Sequence, residues 1–185
     1  MKMLYSTGMI LPALTMRTFQ RRDFLPLRAD LLWQIEQGVV RSLTWDDEGN
    51  PMTLGIWGKG DQVGRSLTQV SPYRLECLTP VVAQAVVMQP DPLVKIAHVH
   101  CLEAMLDILQ QRLVQVRLVK FIHWLAQRFG CEVYQGRLIE LRLTHQEIAE
   151  TIGTSRVTVT RLLKQLEQEG AIRRSRQHLI LLNQG

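Results

Sequence analysis

The sequence predicts an α+β protein with three parts: an N-terminal antiparallel β-roll, a long central helix and a C-terminal winged helix-turn-helix. Three patterns in the 185 residues support this prediction. Residues 25–87 contain short β-rich runs between turn residues, residues 93–129 follow a helical period, and residues 144–170 hold two short helical patterns around a glycine. We therefore divide the chain into residues 1–90, 91–130 and 131–185.

The β-roll is predicted from the alternation of strand-like and turn-like segments. Leu31–Ile35 and Thr53–Trp57 are short runs of mainly apolar residues, including β-branched and aromatic ones, as in strands. Asp46–Pro51 is a cluster of turn residues that would join two of the strands. Turns repeated at this spacing are typical of an antiparallel sandwich or barrel. Residues 1–19 show no clear pattern, and we expect a loose lead-in there.

The central helix is predicted from apolar residues that recur in steps of three and four, as at the a and d positions of a coiled coil. These seam residues are Val99, Leu102, Leu106, Leu109, Leu113 and Val116. A long helix between two compact parts favours pairing with a second copy, so we predict a homodimer along this seam. Packing of the seam within its own domain is the alternative interpretation.

The stretch from Thr144 to Gly170 has the most specific pattern in the chain. Thr144 and Glu147 have the spacing of a capping box, which begins a helix. Gly153 is suited to the sharp turn that follows, because glycine adopts positive φ without steric cost. Ser155 can cap a second helix, which Gly170 would end. This is the pattern of a helix-turn-helix, whose second helix enters the major groove of DNA.

The outer face of that second helix carries Arg156, Thr160 and Arg161, which we predict to contact bases. Arginine can pair through two hydrogen bonds with guanine, whereas hydroxyls beside a helix N-terminus suit phosphates. Ser155 and Thr158 are therefore candidate phosphate contacts. An ordinary helical hairpin with a solvated polar face is the alternative.

Strand-like runs flank the two helices. Leu138–Leu143 alternates like a strand before them, and Ala171–Arg174 and His178–Leu182 form a predicted hairpin after them. The turn of this hairpin would present Arg174 and Arg176 to a phosphate backbone.

Composition and charge limit the classes of function. The net charge is +5, and residues 137–185 carry eight cationic against five acidic side chains, an excess that suits a phosphate-binding surface but is modest enough to serve solubility alone. The three cysteines are widely spaced without a C-x-x-C pair, so we predict neither zinc nor any other cofactor. No catalytic motif is present, and we expect no enzyme. With a poor secretory signal and no apolar run near the roughly 20 residues of a membrane span, we expect a cytoplasmic protein.

The order of β-roll, long helix and winged helix-turn-helix resembles the CRP/FNR family of bacterial transcription regulators from about residue 25 onward. The stretch Ser155–Leu163 is most similar to the global nitrogen regulator branch of cyanobacteria. Gly38, Asp47-Glu48-Gly49 and Gly60-Asp61-x-x-Gly64 are also typical of the family's roll. The resemblance implies a cyclic-nucleotide-binding-like roll, a dimerisation helix and a homodimer that binds double-stranded DNA at a palindromic site.

The resemblance also assigns roles to residues. Arg156 would be the main guanine contact beside Thr160 and Arg161, and Val157 replaces a glutamate of several relatives, which implies an altered half-site preference. The implied phosphate contacts are Thr144, His145, Gln146, Ser155 and Thr158. Activation of transcription would require contact with RNA polymerase, for which the turn at Asp46–Asn50 is a candidate.

Departures from the family pattern concern the effector. In the family's phosphate-binding cassette a glutamate follows the glycine, whereas Arg65 follows Gly64 here. The segment Ser66–Cys77 is several residues shorter than the cassette, and its only arginine, Arg74, is followed by Leu75 instead of Ser or Thr. We therefore expect a sensor or a degenerate sensor whose effector pocket, if it takes a small molecule, does not bind a cyclic nucleotide. Without an N-terminal cysteine cluster we expect no iron–sulfur cluster. The alternative function is a sensor or protein-interaction module with weak, architectural DNA binding.

Overall fold

The computed structural model describes residues 16–87, 92–175 and 178–182. The strands of the N-terminal part are Met16–Phe19 (β1), Leu31–Gln37 (β2), Val40–Trp45 (β3), Pro51–Trp57 (β4), Gln62–Val63 (β5), Arg74–Cys77 (β6) and Val81–Val87 (β7). The helices are Pro92–Leu109 (α1), Val114–Phe129 (α2), His145–Ile152 (α3) and Arg156–Gln168 (α4). The C-terminal strands are Gly130–Val133 (β8), Gly136–Ile139 (β9), Ile172–Arg174 (β10) and Leu179–Leu182 (β11).

The N-terminal strands form the antiparallel roll that the sequence predicts. One sheet has the order β1-β7-β2-β5 and the other the order β4-β3-β6. The expected loose lead-in is wrong for its last four residues, because β1 pairs with β7 from Met16 opposite Gln84 to Phe19 opposite Val81. Only Phe19 of this strand is buried, its ring 5.3 Å from that of Trp33, so the strand has no alternating pattern to detect. The first part of the lead-in, residues 1–15, lies outside the described residues.

The expected single helix over residues 93–129 is wrong, because two helices, α1 and α2, occupy this segment. The side chain of Gln111 donates to the carbonyl of Asp107 (2.9 Å), which a continuing helix would pair with a backbone amide. Arg117 Nε in turn donates to the carbonyl of Gln111 (2.8 Å). Polar side chains thus satisfy backbone groups at the break between the two helices. Two residues of the predicted seam, Leu113 and Val116, lie beyond this break.

The first of these helices packs on the roll through the face opposite the predicted seam. Cys101, Met105 and Ile108 are buried, and the His98 ring stacks on Trp57 with centroids 4.0 Å apart. His98 Nε2 also lies 2.8 Å from the carbonyl oxygen of a roll residue in β5. The seam residues of α1 are consequently left on the outer surface.

The C-terminal part is a four-stranded sheet of order β10-β11-β9-β8 beside α3 and α4, with the predicted hairpin formed by β10 and β11. The strand expected over residues 138–143 is misplaced. Both neighbouring strands reach Ile139, where Leu179 and Gly130 lie opposite it, and neither extends further. Residues 140–143 therefore continue toward α3 without strand partners, although Leu141 is buried like Ile139.

The roll and the C-terminal part share one apolar cluster, which includes Ile56 and Leu78 of the roll together with side chains of all four helices. A buried ion-pair network adds to this contact. In this network Nη2 of Arg41 on β3 lies 2.7 Å from Oε2 of Glu76 on β6, and Nη1 of Arg41 lies 2.7 Å from Oε2 of Glu150 on α3. Burial alone would lower the pKa of Arg41, but its hydrogen bonds and attraction to the two glutamates raise it overall. Among the described helices, none is long and apolar enough to cross a bilayer.

Candidate nucleic-acid interface

The interface begins with the reciprocal capping box at the start of α3. The Thr144 hydroxyl accepts a hydrogen bond from the Glu147 amide (3.1 Å), and the Glu147 carboxylate accepts one from the Thr144 amide (2.6 Å). Two amides that the helix leaves unpaired are thereby satisfied, as the sequence predicts. Helix α3 ends at Gly153, whose φ of 65° is in the left-handed region.

After this corner the Ser155 hydroxyl caps α4 by accepting a hydrogen bond from the Thr158 amide (3.1 Å). The inner face of α4 is buried and consists of Val159, Leu162, Leu163 and Leu166. Ile148, Ala149 and Ile152 of α3 are buried in the same cluster. The two helices therefore pack through the apolar faces that the helical period predicts.

The opposite face of α4 presents the four predicted base contacts to solvent. Arg156, Thr160 and Arg161 are exposed, and Val157 is 78% exposed. No carboxylate pairs with either arginine in the described part of the chain. The Thr160 hydroxyl donates to the Arg156 carbonyl (2.9 Å) and lies 2.7 Å from His145 Nδ1, so it is engaged within the protein.

The predicted phosphate contacts surround α4, but their groups differ in availability. The hydroxyls of Thr144, Ser155 and Thr158 take part in the helix caps. Gln146 donates to Glu150 (2.9 Å). Each of these side chains nevertheless lies at the first turn of a helix, where amides suit an anion.

Arg174, the predicted phosphate contact at the end of β10, forms an ion pair with α4. Its guanidinium pairs with the Glu167 carboxylate (2.8 Å), and this hydrogen bond lowers the pKa of Glu167. Arg176, the second predicted wing contact, lies outside the described residues.

His145 is the titratable group at the centre of this surface. Partial burial lowers its pKa, and the positive charges of Arg174 and Arg156 lower it further. The free protein therefore favours the neutral imidazole. An anion placed here would offset the repulsion and favour the imidazolium.

Sequence reasoning missed the residues that the roll contributes to this surface. Arg21 Nη2 donates to both oxygens of Glu147 (2.9 and 3.0 Å), and Arg22 lies near the same helix start. Arg21 and Glu147 are 126 residues apart, so no local pattern connects them.

Within the described residues, the two arginines of segment 65–77, Arg65 and Arg74, both contact neighbouring groups of the roll. A 3-10 turn at Arg65–Leu67 follows Gly64, and the Arg65 guanidinium donates to the carbonyls of Val70 (2.8 Å) and Thr68 (3.3 Å). Arg74 lies over the ring of Phe24, with its guanidinium carbon 5.2 Å from the ring centroid. Both cations are thus engaged by neighbouring groups.

Comparison with known proteins places this arrangement in a family. A sequence model of the Crp-like helix-turn-helix domain matches residues 116–184. The chain is 41% identical over 169 residues to the regulatory protein CysR of Synechococcus elongatus, covering 87% of this chain and 81% of that protein. The chain belongs to the CRP/FNR family. The global nitrogen regulator of Nostoc is 46% identical over 70 residues, which cover 38% of this chain and 31% of that protein.

Solved structures agree with this membership of the CRP/FNR family. A CRP-family transcriptional regulator from Thermus thermophilus has a TM-score of 0.74 at 25% identity, with 90% of this chain and 92% of that chain covered. This CRP/FNR protein is therefore a DNA-binding transcription regulator and not an enzyme. The predicted resemblance, including its position near the cyanobacterial branch, is confirmed.

Proposed function

We propose that this CRP/FNR regulator acts as a homodimer on a palindromic DNA site and reads bases with Arg156, Val157, Thr160 and Arg161. The exposed outer face of α4 is the observation that carries the proposal. Its two arginines have no carboxylate partner within the described residues, so their guanidinium groups are available to base edges. Val157 offers an apolar surface that suits the methyl group of thymine.

The phosphate contacts proposed around α4 are Thr144, His145, Gln146, Ser155, Thr158, Arg174 and Arg176. They orient α4 on the duplex without reading sequence. Arg174 would exchange part of its pairing with Glu167 for a phosphate, because that pair is partly exposed and therefore weak.

The homodimer is supported by the apolar stripe on the outer surface of α1. Leu102, Leu106 and Leu109 are exposed, and Leu106 retains 55% of its accessible surface. Leu113 and Val116 continue the exposed apolar surface beyond the helix break. A contiguous stripe of this kind is rare on a monomer and would be buried by a second copy.

We infer that the roll does not bind a cyclic nucleotide. Its interior is filled by side chains, including the buried rings of Trp33, Trp57 and Tyr73. Burial raises the pKa of Tyr73 to about 12, as expected in an apolar interior. Arg65, in the position after Gly64, uses its guanidinium to hold its own turn.

The turn between β3 and β4 is a candidate contact for RNA polymerase. Asp46 organises it by accepting hydrogen bonds from the amides of Glu48 (3.0 Å) and Asn50 (2.8 Å). Asp47 and Glu48 lie in this turn, where Glu48 is exposed, and would offer acidic groups to a basic partner surface.

Selection of bound duplexes from a random DNA library tests the proposal. The full chain is incubated without any ligand at about 150 mM salt, where non-specific phosphate binding is weakened. We expect a two-fold motif whose half-sites are about one helical turn apart.

Sequence-blind enrichment in that selection would contradict the proposal as stated. Repeating the selection with cyclic nucleotides and 2-oxoglutarate then separates a missing effector from an architectural contact. A motif that appears only with a cyclic nucleotide would overturn the inference about the roll.

A further inference from the structure

A cleft lies where the roll meets the first turn of α3. It encloses about 310 Å³, and its walls are formed by Arg22, Thr144, His145, Gln146 and Arg156. Four of these residues belong to the helix-turn-helix, whereas Arg22 belongs to the segment between β1 and β2. The cleft therefore brings a cation of the roll beside residues that we propose as DNA contacts.

Among the described residues, no acidic side chain forms an ion pair with the cations of this cleft. Arg22 and Arg156 are both exposed, and neither pairs with a carboxylate within residues 16–87, 92–175 and 178–182. The adjacent Arg21, by contrast, pairs with Glu147. Two unpaired cations beside a histidine and an amide form a surface that attracts an anion.

The backbone of Arg22 is held in place by the roll. The Arg22 amide donates to the Cys77 carbonyl (2.7 Å), and its φ of 73° is unusual for a residue other than glycine. Arg21 joins the same segment to α3 through both oxygens of Glu147. This ion pair also neutralises a carboxylate at the helix start that would repel a phosphate.

We propose that Arg22 binds a backbone phosphate of the DNA together with His145 and Gln146 of α3. The contact rests on the proposed function, in which α4 lies in the major groove and the start of α3 faces the sugar-phosphate backbone. One phosphate then touches both the roll and the helix-turn-helix. Bound DNA consequently stabilises their mutual arrangement, and that arrangement stabilises binding by an equal free energy.

The salt dependence of DNA affinity in the full chain tests this contact. Arg22→Asn removes the charge but retains a residue that tolerates positive φ, so the turn is preserved. The slope of log affinity against log salt should fall by about 0.9 per protomer, or about 1.8 in a homodimer. Between about 50 and about 200 mM salt, wild-type affinity should therefore fall about tenfold more than that of the variant. The affinity that Arg22→Asn loses relative to the wild-type protein should be equal on selected and scrambled duplexes.

Two matched variants separate this contact from general electrostatics. Arg22→Lys keeps the cation and should retain the wild-type slope. Arg28→Asn removes an exposed arginine from the same segment, where it pairs with Asp30 away from the cleft, and should change the slope little. Equal effects of Arg28→Asn and Arg22→Asn would overturn the assignment.

Duplexes with a single neutral methylphosphonate identify the phosphate itself. At one position in each half-site, neutralisation should weaken wild-type binding clearly more than it weakens binding of Arg22→Asn, in which only His145 and Gln146 still contact that phosphate. Absence of such a position, together with saturable binding of inorganic phosphate to the DNA-free protein, would assign the cleft to a free anion and overturn the DNA contact.

The failure of this contact is distinguishable from failure of the proposed function. If wild-type protein selects a two-fold motif and Arg22→Asn keeps the wild-type slope, the roll does not touch DNA and the function stands. If wild-type protein selects no motif either without ligand or with the added effectors, the proposed function itself fails.

Discussion

Arg156 is the residue on which base discrimination should depend most. Replacing it with alanine removes a guanidinium that is exposed and free of a carboxylate partner in the described residues, so the loss should appear in the complex and not in folding. We expect Arg156→Ala to cost about 1–3 kcal/mol on the selected site and to relax preference at one base position. Competition binding with duplexes altered at each position measures this.

Arg176→Ala is the comparison for Arg156→Ala, because the sequence predicts Arg176 as a phosphate contact. This variant should weaken binding to selected and scrambled DNA alike. An equal loss on both duplexes for Arg156→Ala would contradict its role in reading bases.

His145 should make DNA binding depend on pH. Burial and the charges of Arg174 and Arg156 lower its pKa in the free protein. A bound phosphate would raise that pKa, so the complex takes up a proton. Affinity should therefore rise as the pH falls through the pKa of the complex toward the lowered pKa of the free protein. His145→Gln should flatten this profile, including the part below the ordinary histidine pKa of about 6.5, because the pKa of His145 in the free protein is lowered.

An unchanged pH profile in His145→Gln would show that the histidine does not face the phosphate. His123 is an exposed histidine on α2, and His123→Gln is the control that should leave the profile as in the wild-type protein.

At the scale of elements, α1 should pair with α1 of a second copy. Leu106 lies in the middle of the exposed stripe, and lysine at this position would place a charge in the buried dimer contact. We expect Leu106→Lys to produce monomers in sedimentation equilibrium and to abolish binding to the two-fold site while the fold is kept. The same helix supplies a control, because His100 is exposed outside the stripe and His100→Lys should remain dimeric.

A dimer that survives Leu106→Lys would mean that copies of the chain pair through another surface. Leu113 and Val116 lie beyond the break between α1 and α2. The test therefore asks whether α1 itself, and not the segment after the break, forms the dimer contact.

At the scale of the whole molecule, the network around Arg41 should hold the roll and the helix-turn-helix together. Removing a buried cation leaves Glu76 and Glu150 without their partner, at a cost of about 3–5 kcal/mol. Arg41→Met should therefore lower the free energy of unfolding by that amount in urea titrations. Adding Glu150→Gln should restore part of it, because a neutral amide needs no cation.

A loss below about 1 kcal/mol for Arg41→Met would place this network among weak surface pairs. Trp57 of the roll and Trp124 of α2 allow the unfolding of both parts to be followed by fluorescence.

Local signals in the sequence were sufficient to predict the helix-turn-helix. The capping box of Thr144 and Glu147, the left-handed Gly153 and the Ser155 cap all appear as predicted. Each depends on residues within about one helical turn, so neighbouring positions in the chain carry the information. The turn residues between β-rich runs predicted the roll for the same reason.

Only the tertiary structure decided how these parts meet. Strand β1 is held by pairing with β7, the α1–α2 break depends on Arg117 and Gln111, and the cleft combines Arg22 with residues more than 120 positions away. The apolar period of the seam runs through the helix break on the exposed surface, whereas both helices bury other side chains in one cluster. Periodicity records which faces are apolar, whereas pairing between distant segments is set by packing and charge that no short stretch of sequence contains.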